Sequence, residues 1–173
     1  MRMAKQTPAE EFTEYVASRS GWLRRVAYLL CGDWHRADDL VQETITKLYV
    51  NWSRASRVEN LDGYTRRILV NTFLAEQRSP WWRRTIRSAT DPDAAVARDV
   101  DLDAALDLRR ALAALPPRQR AAVVLRYYCD LTIEQAAEAL GCSSGNVKSQ
   151  SSRALDALRG TLTPRPVAAE RTP

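Results

Sequence analysis

Apolar residues recur every three or four positions along most of the chain, which is the spacing of amphipathic helices. Three such stretches, over residues 12–30, 37–52 and 61–77, predict a first group of helices. The first stretch contains Ser20-Gly21, a pair at which a helix is open to interruption. Because each stretch has one apolar face, the three helices are expected to pack together as a first domain.

A second group of helices is predicted from about Asp103 onward. Its first helix ends at Pro116-Pro117, because a proline ring blocks the continuation of a helix. A further helix is predicted over residues 118–128. No stretch shows the alternation of a β-strand, so the predicted fold class is all-α.

The last two predicted helices have clear end signals. Thr132-Ile133-Glu134-Gln135 fits a capping box that opens a short helix, and Gly141 ends it. Ser143 or Ser144 then caps a final helix that runs to about Arg159. A short helix, a turn with glycine and a second helix match the helix-turn-helix motif, although an ordinary helical hairpin in a bundle remains the alternative.

The chain is therefore predicted to form two small helical domains joined by an acidic flexible linker, the C-terminal one a four-helix domain with the helix-turn-helix motif. The predicted boundaries are 1–10 for a disordered N-terminus, 11–88 for the first domain, 89–103 for the linker, 104–160 for the second domain and 161–173 for a disordered tail.

Charge is distributed unevenly along the chain, whose net charge is +5. Residues 64–88 contain six arginines against the single acid Glu76, which suits a polyanionic partner. Residues 91–107 contain six aspartates against Arg98, which predicts the acidic linker. Alternatively, Asp99, Asp101 and Asp103 favour the positive N-terminal end of the helix that follows.

The residue inventory argues against an enzyme or a metal site. Cys31 and His35, four positions apart, could be two metal ligands, but a zinc site needs about four. There is no credible catalytic constellation or phosphate-binding loop, so no cofactor and no small-molecule substrate are predicted. Three cysteines without framework spacing and no apolar run of about 18 residues predict a cytoplasmic protein without membrane insertion.

The outward face of the final helix carries short or cationic side chains. Such a face lets a helix approach the DNA major groove closely, with cations available for phosphates or guanine edges. The residues predicted to contact DNA are Ser144, Gly145, Lys148, Ser149, Ser152 and Arg153.

Three motifs, at residues 38–43 (DDLVQE), 64–71 (YTRRILVN) and 115–120 (LPPRQR), resemble in this order the motifs of extracytoplasmic-function sigma factors. This is the smallest group of the sigma-70 family, and the resemblance, to actinobacterial-like members, covers about residues 12–159. It implies a dissociable, non-catalytic subunit that carries RNA polymerase to promoters and helps to open them.

The resemblance also implies the partners. The helix over residues 37–52 would bind the clamp helices of the largest subunit of core RNA polymerase, and the second domain would bind the flap of the second-largest subunit. The apolar residues of this helix face the domain core, which leaves its polar residues available for a partner. The residues implied for contact with the clamp helices are Asp38, Asp39, Gln42 and Glu43. Composition alone favours a solvated face for these residues, and the resemblance reverses that preference. In the holoenzyme the protein would be associated with the nucleoid.

The first domain resembles the reader of the minus-ten promoter element. Opening DNA requires side chains that hold a base outside the stack, and aromatic, amide and arginine groups suit this work. The implied residues are Arg57, Asn60, Tyr64, Arg67, Asn71 and Arg78. The alternative for Tyr64 is that its ring belongs to the apolar core. Trp81 and Trp82 suit base stacking or packing of the linker.

The second domain resembles the reader of the minus-thirty-five element, but it departs from the family at Asn146 and Gln150, where threonine and arginine are common. The preferred promoter sequence therefore cannot be copied from relatives. An anti-sigma factor is a common partner in the family, and no residue here identifies one. The rival interpretations are a conventional helix-turn-helix regulator, an enzyme and a protein-binding adaptor; dependence on polymerase separates them from a sigma factor.

Overall fold

The computed structural model describes residues 6–79 and 100–162, and every regular element in these ranges is helical. The first range contains α1 (Pro8–Cys31), α2 (Trp34–Val50), α3 (Trp52–Ala55) and α4 (Leu61–Arg78). The second contains α5 (Val100–Ala114), α6 (Pro117–Val123) with a π-helical turn after it (Val124–Tyr128), α7 (Ile133–Leu140) and α8 (Ser144–Leu162). The predicted all-α fold class is confirmed.

The first helix begins earlier than its apolar pattern predicts. Thr7 and Glu10 form a reciprocal capping box, and Pro8 occupies the first helical position, where its missing N–H costs nothing. The prediction of disorder over residues 1–10 is therefore wrong for residues 8–10. Ser20-Gly21 does not interrupt α1, because this part of the helix is held by its buried face.

The predicted ends of the two helices that meet at residues 141–144, and the predicted start of the first of them, are confirmed, whereas the final helix extends to Leu162, beyond the predicted Arg159. Thr132 Oγ1 accepts a hydrogen bond from the Gln135 N–H at 3.1 Å, and the Thr132 N–H donates to Gln135 Oε1 at 2.9 Å. Gly141 ends α7 with φ at +60°, in the left-handed region that glycine adopts without strain. Ser143 Oγ accepts from the Asn146 N–H at 3.2 Å, so Ser143, rather than Ser144, caps α8.

The predicted helix over residues 118–128 is not uniform. After Val123 the helix widens, and the Cys129 N–H donates to the Val124 carbonyl at 3.0 Å, an i→i+5 bond. Such a π-helical turn shifts the side chains that follow it around the helix axis and is frequent at functional sites. Tyr127 is 58% exposed.

One apolar core connects the two ranges. Side chains from α1, α2 and α4 are buried in the same cluster as side chains from α5 to α8. Phe73 of α4 and Leu125 of the π-helical turn, for example, are completely buried. A second, smaller cluster, formed by Leu48, Trp52 and Ala55, lies under the N-terminal half of α1. The two predicted domains thus pack against each other.

Several sequence predictions fall outside the described residues. Trp81, Trp82 and most of the predicted linker lie in residues 80–99. The last four linker residues, 100–103, form the first turn of α5, and residues 161–162 of the predicted tail belong to α8. The domain boundaries themselves stay predictions.

Candidate functional site

The acidic face of α2 is less open than the sequence suggests. Asp39 and Gln42 are exposed, but the other two implied polymerase contacts have partners within the chain. Arg24 Nε donates to Asp38 Oδ1 at 2.5 Å and Arg24 Nη2 to Asp38 Oδ2 at 3.1 Å. Glu43 Oε1 lies 2.7 Å from Lys47 Nζ. The expectation that all four are free is therefore wrong for Asp38 and Glu43.

Arg24, which donates both of these hydrogen bonds to Asp38, also lies against an aromatic stack. Its guanidinium is 4.5 Å from the centre of the Trp34 ring, and Trp34 stacks on Tyr28 with ring centres 3.9 Å apart. This packing fixes the arginine, whose hydrogen bonds hold the pKa of the Asp38 carboxyl below its ordinary value. Asp38 is therefore a positioned part of the surface, and Asp39 is its freely available neighbour.

Glu76 of α4, the single acid of the basic segment 64–88, belongs to the same acidic surface as Asp39 and Glu43. Partial burial raises the pKa of the Glu76 carboxyl, and the negative charge of Glu43 raises it further. The two carboxylates therefore repel each other across the α2–α4 contact. A cationic partner that docked here would relieve this repulsion.

A groove of about 480 Å³ opens between α2 and α4. It brings together three of the implied minus-ten residues, Tyr64, Arg67 and Asn71. It also contains residues that the sequence reasoning missed, because they come from the end of α2 and from α3: Lys47, Asn51 and Arg54. The groove thus offers an aromatic ring, two side-chain amides and three cationic side chains.

Tyr64 performs both of the roles that the sequence left open. It is half-buried and packs against the cluster of Leu48, Trp52 and Ala55, and it also forms part of the groove wall. One edge of the ring is therefore held by the core while the rest remains accessible. Such a fixed ring suits base stacking, since little rotamer freedom is lost on binding.

A second cavity, of about 240 Å³, lies where α4 faces α7. Asn60, Tyr64 and Arg67 line it from one side, and Gln135 and Glu138 from the other. The Asn60 amide oxygen accepts from the Gly63 N–H at 2.8 Å, so this side chain also caps α4. Part of the implied minus-ten surface therefore faces the second predicted domain. Of the other implied residues, Arg57 and Arg78 are exposed and line neither cavity.

The face of α8 is arranged as the sequence predicts. Gly145, Lys148, Ser149, Ser152 and Arg153 are exposed, and Ser144 is partly so. Val147, Ser151, Ala154 and Leu158 face the core. Lys148 and Ser152 border a cavity of about 280 Å³ beside Tyr127 of the π-helical turn, which adds an aromatic hydroxyl to this surface.

The two residues that depart from the family pattern contact each other. Gln150 Nε2 donates to Asn146 Oδ1 at 3.3 Å, one turn apart on α8. Two linked amides stand here, where the family commonly has threonine and arginine. This part of the α8 surface therefore differs in chemistry from that of relatives with those residues.

The basic motif at residues 115–120 has a buried role. Arg120 is 9% exposed and donates to the carbonyl oxygens of Leu30 at 2.6 Å, Ala113 at 2.7 Å and Leu115 at 3.0 Å. Burial lowers the pKa of its guanidinium to about 10. Burial also raises the pKa of the neighbouring Cys31 thiol to about 12, so this cysteine is not a reactive thiolate near neutral pH.

Within residues 6–79 and 100–162, no cluster of three or more histidine, cysteine or acidic side chains is arranged to hold a metal ion. Among the helices in the same ranges, none combines the length and the hydropathy that crossing a bilayer requires.

Comparisons with known proteins agree with this architecture. The family model described as Sigma-70 region 2 matches residues 15–83, and that described as Sigma-70, region 4 matches residues 105–158. The chain is 38% identical to the RNA polymerase sigma-E factor of Streptomyces avermitilis over 161 residues, which cover 90% of this chain and 87% of that protein. It is 32% identical to the ECF RNA polymerase sigma factor EcfG of Rhodopseudomonas palustris, over 81% of this chain and 78% of the relative.

A solved structure supports the fold as well. The sigma factor RpoE of Bartonella quintana, determined in complex with the anti-sigma factor NepR, superposes with a TM-score of 0.68 at 27% identity, over 88% of this chain and 96% of that one. The motifs, the two region matches, the extensive identity and the common fold lead to one conclusion: the chain belongs to the extracytoplasmic-function sigma factors of the sigma-70 family.

Proposed function

We propose that the protein binds core RNA polymerase through the acidic face of α2, recognises the minus-ten and minus-thirty-five elements, and promotes DNA melting. The observation that carries this proposal is the groove between α2 and α4. It places a half-buried tyrosine, two amides and three cations beside the C-terminal end of the helix that presents Asp39 and Glu43. Polymerase binding and strand capture would thus use adjacent parts of one helix.

The polymerase contact is assigned to Asp39, Gln42 and Glu43, with Asp38 held in position by Arg24 and with Glu76 added from α4. These groups suit a basic surface such as the clamp helices of the largest subunit. The exposed face of α8 suits the major groove of the minus-thirty-five element. The flap of the second-largest subunit is the proposed partner of the second region.

The contact between α4 and α7 implies that the two regions separate when the promoter is bound. Asn60 and Arg67 lie in the cavity between them, and DNA that reached these residues would displace α7. A protein of the anti-sigma class, like the partner of the Bartonella quintana sigma factor, is a further proposed partner. Such a protein would act on the equilibrium between packed and separated regions.

The decisive experiment adds the purified chain to core RNA polymerase from its own organism, together with a library of promoter fragments. We expect transcripts that start at discrete sites only when the chain is present, and these sites would give the promoter motif. If the chain neither associates with core nor yields such starts, the proposed function is wrong. A conventional helix-turn-helix regulator would instead bind specific DNA without core.

In the groove, we expect Tyr64→Ala to weaken binding of the holoenzyme to a single-stranded minus-ten oligonucleotide by about 1–3 kcal/mol, the contribution of stacking one base on an aromatic ring. Tyr64→Phe should retain most of the affinity, because it keeps the ring. Fluorescence anisotropy at saturating core measures both variants, and unfolding in urea measures any loss of folding stability. Equal weakening by both variants would argue against stacking.

A further inference from the structure

Lys47 stands at the border between the polymerase-binding face and the groove. Its ammonium group lies 2.7 Å from Glu43 Oε1 and donates to Thr72 Oγ1 at 3.0 Å. Glu43 belongs to the acidic face, whereas Thr72 is almost fully buried in the groove wall. One cation is thus shared by two surfaces with different proposed partners.

The position of this ammonium is fixed from the groove side. Asn51 Nδ2 donates to the Lys47 carbonyl at 2.8 Å, which ties the last turn of α2 to the start of α3. The Thr72 hydroxyl then holds the ammonium at the groove edge. The lysine would therefore keep this place if its carboxylate partner were removed.

The bond to Glu43 is weak enough to be exchanged. Both side chains are nearly half exposed. An exposed ion pair between residues four positions apart on a helix changes the equilibrium constant for folding by only about twofold. The nearby Glu76 carboxylate also repels Glu43. A cationic group of a partner could therefore take Glu43 over at little cost, and Lys47 would then lose its ion-pair partner beside the groove and keep only the weaker attraction of Glu76.

We propose that Lys47 is a phosphate-binding residue of the groove, that Glu43 masks its charge in the free protein, and that binding of Glu43 by core polymerase unmasks it. Polymerase binding would in this way strengthen the capture of single-stranded DNA through one shared cation. The inference rests on the proposed function, since it needs Glu43 to contact polymerase and the groove to hold DNA.

The expected size follows from counterion release. One phosphate contact on a single strand contributes about 0.7 to the slope of log affinity against log salt concentration. At about 0.15 M salt this corresponds to a change in affinity of about fourfold. The test measures affinity for a fluorescent single-stranded minus-ten oligonucleotide over a salt series, with the free chain and with holoenzyme at saturating core.

Five variants complete the experiment: Lys47→Met, Lys47→Arg, Glu43→Gln, the double variant Lys47→Met/Glu43→Gln, and the control Arg25→Met, which removes an exposed cation of α1 outside the groove. In the holoenzyme, Lys47→Met should lose about fourfold in affinity and about 0.7 of the salt slope. Lys47→Arg should lose little. Glu43→Gln removes a proposed polymerase contact, so it should need more core for saturation, and in the saturated holoenzyme it should show no gain in oligonucleotide affinity over the wild type. In the free chain, Glu43→Gln should bind the oligonucleotide about twofold more tightly than the wild type. The double variant should show no such gain, because Lys47 is absent.

The outcomes separate the two proposals. If Lys47→Met binds the oligonucleotide like Arg25→Met in the holoenzyme, the role of Lys47 is refuted while the sigma function stands. The same holds if the gain from Glu43→Gln persists in the double variant, because the gain would then not pass through Lys47. A chain that fails to assemble with core at all overturns the proposed function and this inference together.

Discussion

Reversing two charges, in Asp39→Lys/Glu43→Lys, is expected to weaken binding to core RNA polymerase by about a hundredfold or more. Both residues are exposed, one turn apart on α2, so the variant replaces attraction to a basic surface by repulsion at two adjacent points. Like charges brought together in an interface cost several kcal/mol. Fluorescence anisotropy of the labelled chain titrated with core measures the loss, and promoter-dependent starts should disappear with it.

The control for this variant is Glu11→Lys/Glu14→Lys. These residues are also exposed on one helix face, on α1, and their reversal changes the net charge by the same amount. We expect it to leave core binding within about threefold, because exposed charges away from an interface act mainly on the association rate. If both double variants bind core alike, the acidic face of α2 is not the contact, and its carboxylates are a solvated surface.

Local signals in the sequence predicted the local structure well. The capping box at Thr132 and Gln135 and the left-handed glycine at Gly141 depend on residues within one turn of each other, so their types suffice to place them. The apolar faces of α2 and α8 were found for the same reason. The capping box at Thr7 and Glu10 has the same form as the one at Thr132 and was missed, because the apolar periodicity of the helix it opens begins only at Phe12.

Contacts between distant residues were not predictable in the same way. The partners of Asp38 and Glu43 decide which carboxylates are free, yet nothing at Asp38 indicates that Arg24, fourteen positions earlier, will hold it. The contact of Lys47 with Thr72 depends on how α2 and α4 pack. The π-helical turn after Val123 likewise has no marker in the sequence.

Arg120 illustrates this limit most clearly. The motif LPPRQR is one of the three that carry the family resemblance, and composition favours a surface position for its arginines because arginine is rarely buried. The structure instead buries Arg120 between helix ends. Its three acceptors lie at the C-terminal ends of α1 and α5, where the last carbonyls of a helix lack partners within the helix.

We therefore expect Arg120→Met to lower the free energy of unfolding by about 3 kcal/mol or more. The variant removes the arginine donor from three carbonyl oxygens, two of them in buried bonds, and an unsatisfied buried group costs about 1–3 kcal/mol. It also removes a positive charge that interacts favourably with the C-terminal ends of two helices. Although burial lowers the pKa of Arg120 to about 10, the group stays charged at neutral pH, so this attraction is present there.

Urea unfolding at neutral pH measures the loss, with Arg118→Met as the control. Arg118 is two residues earlier and exposed, so its replacement should change stability by no more than about 0.5 kcal/mol. Arg120→Lys tests geometry, because an ammonium keeps the charge but lacks the planar fork that reaches several acceptors at once. We expect Arg120→Lys to recover only part of the loss. If Arg120→Met and Arg118→Met unfold at the same urea concentration, Arg120 does not hold α1 and α5 to α6 in solution.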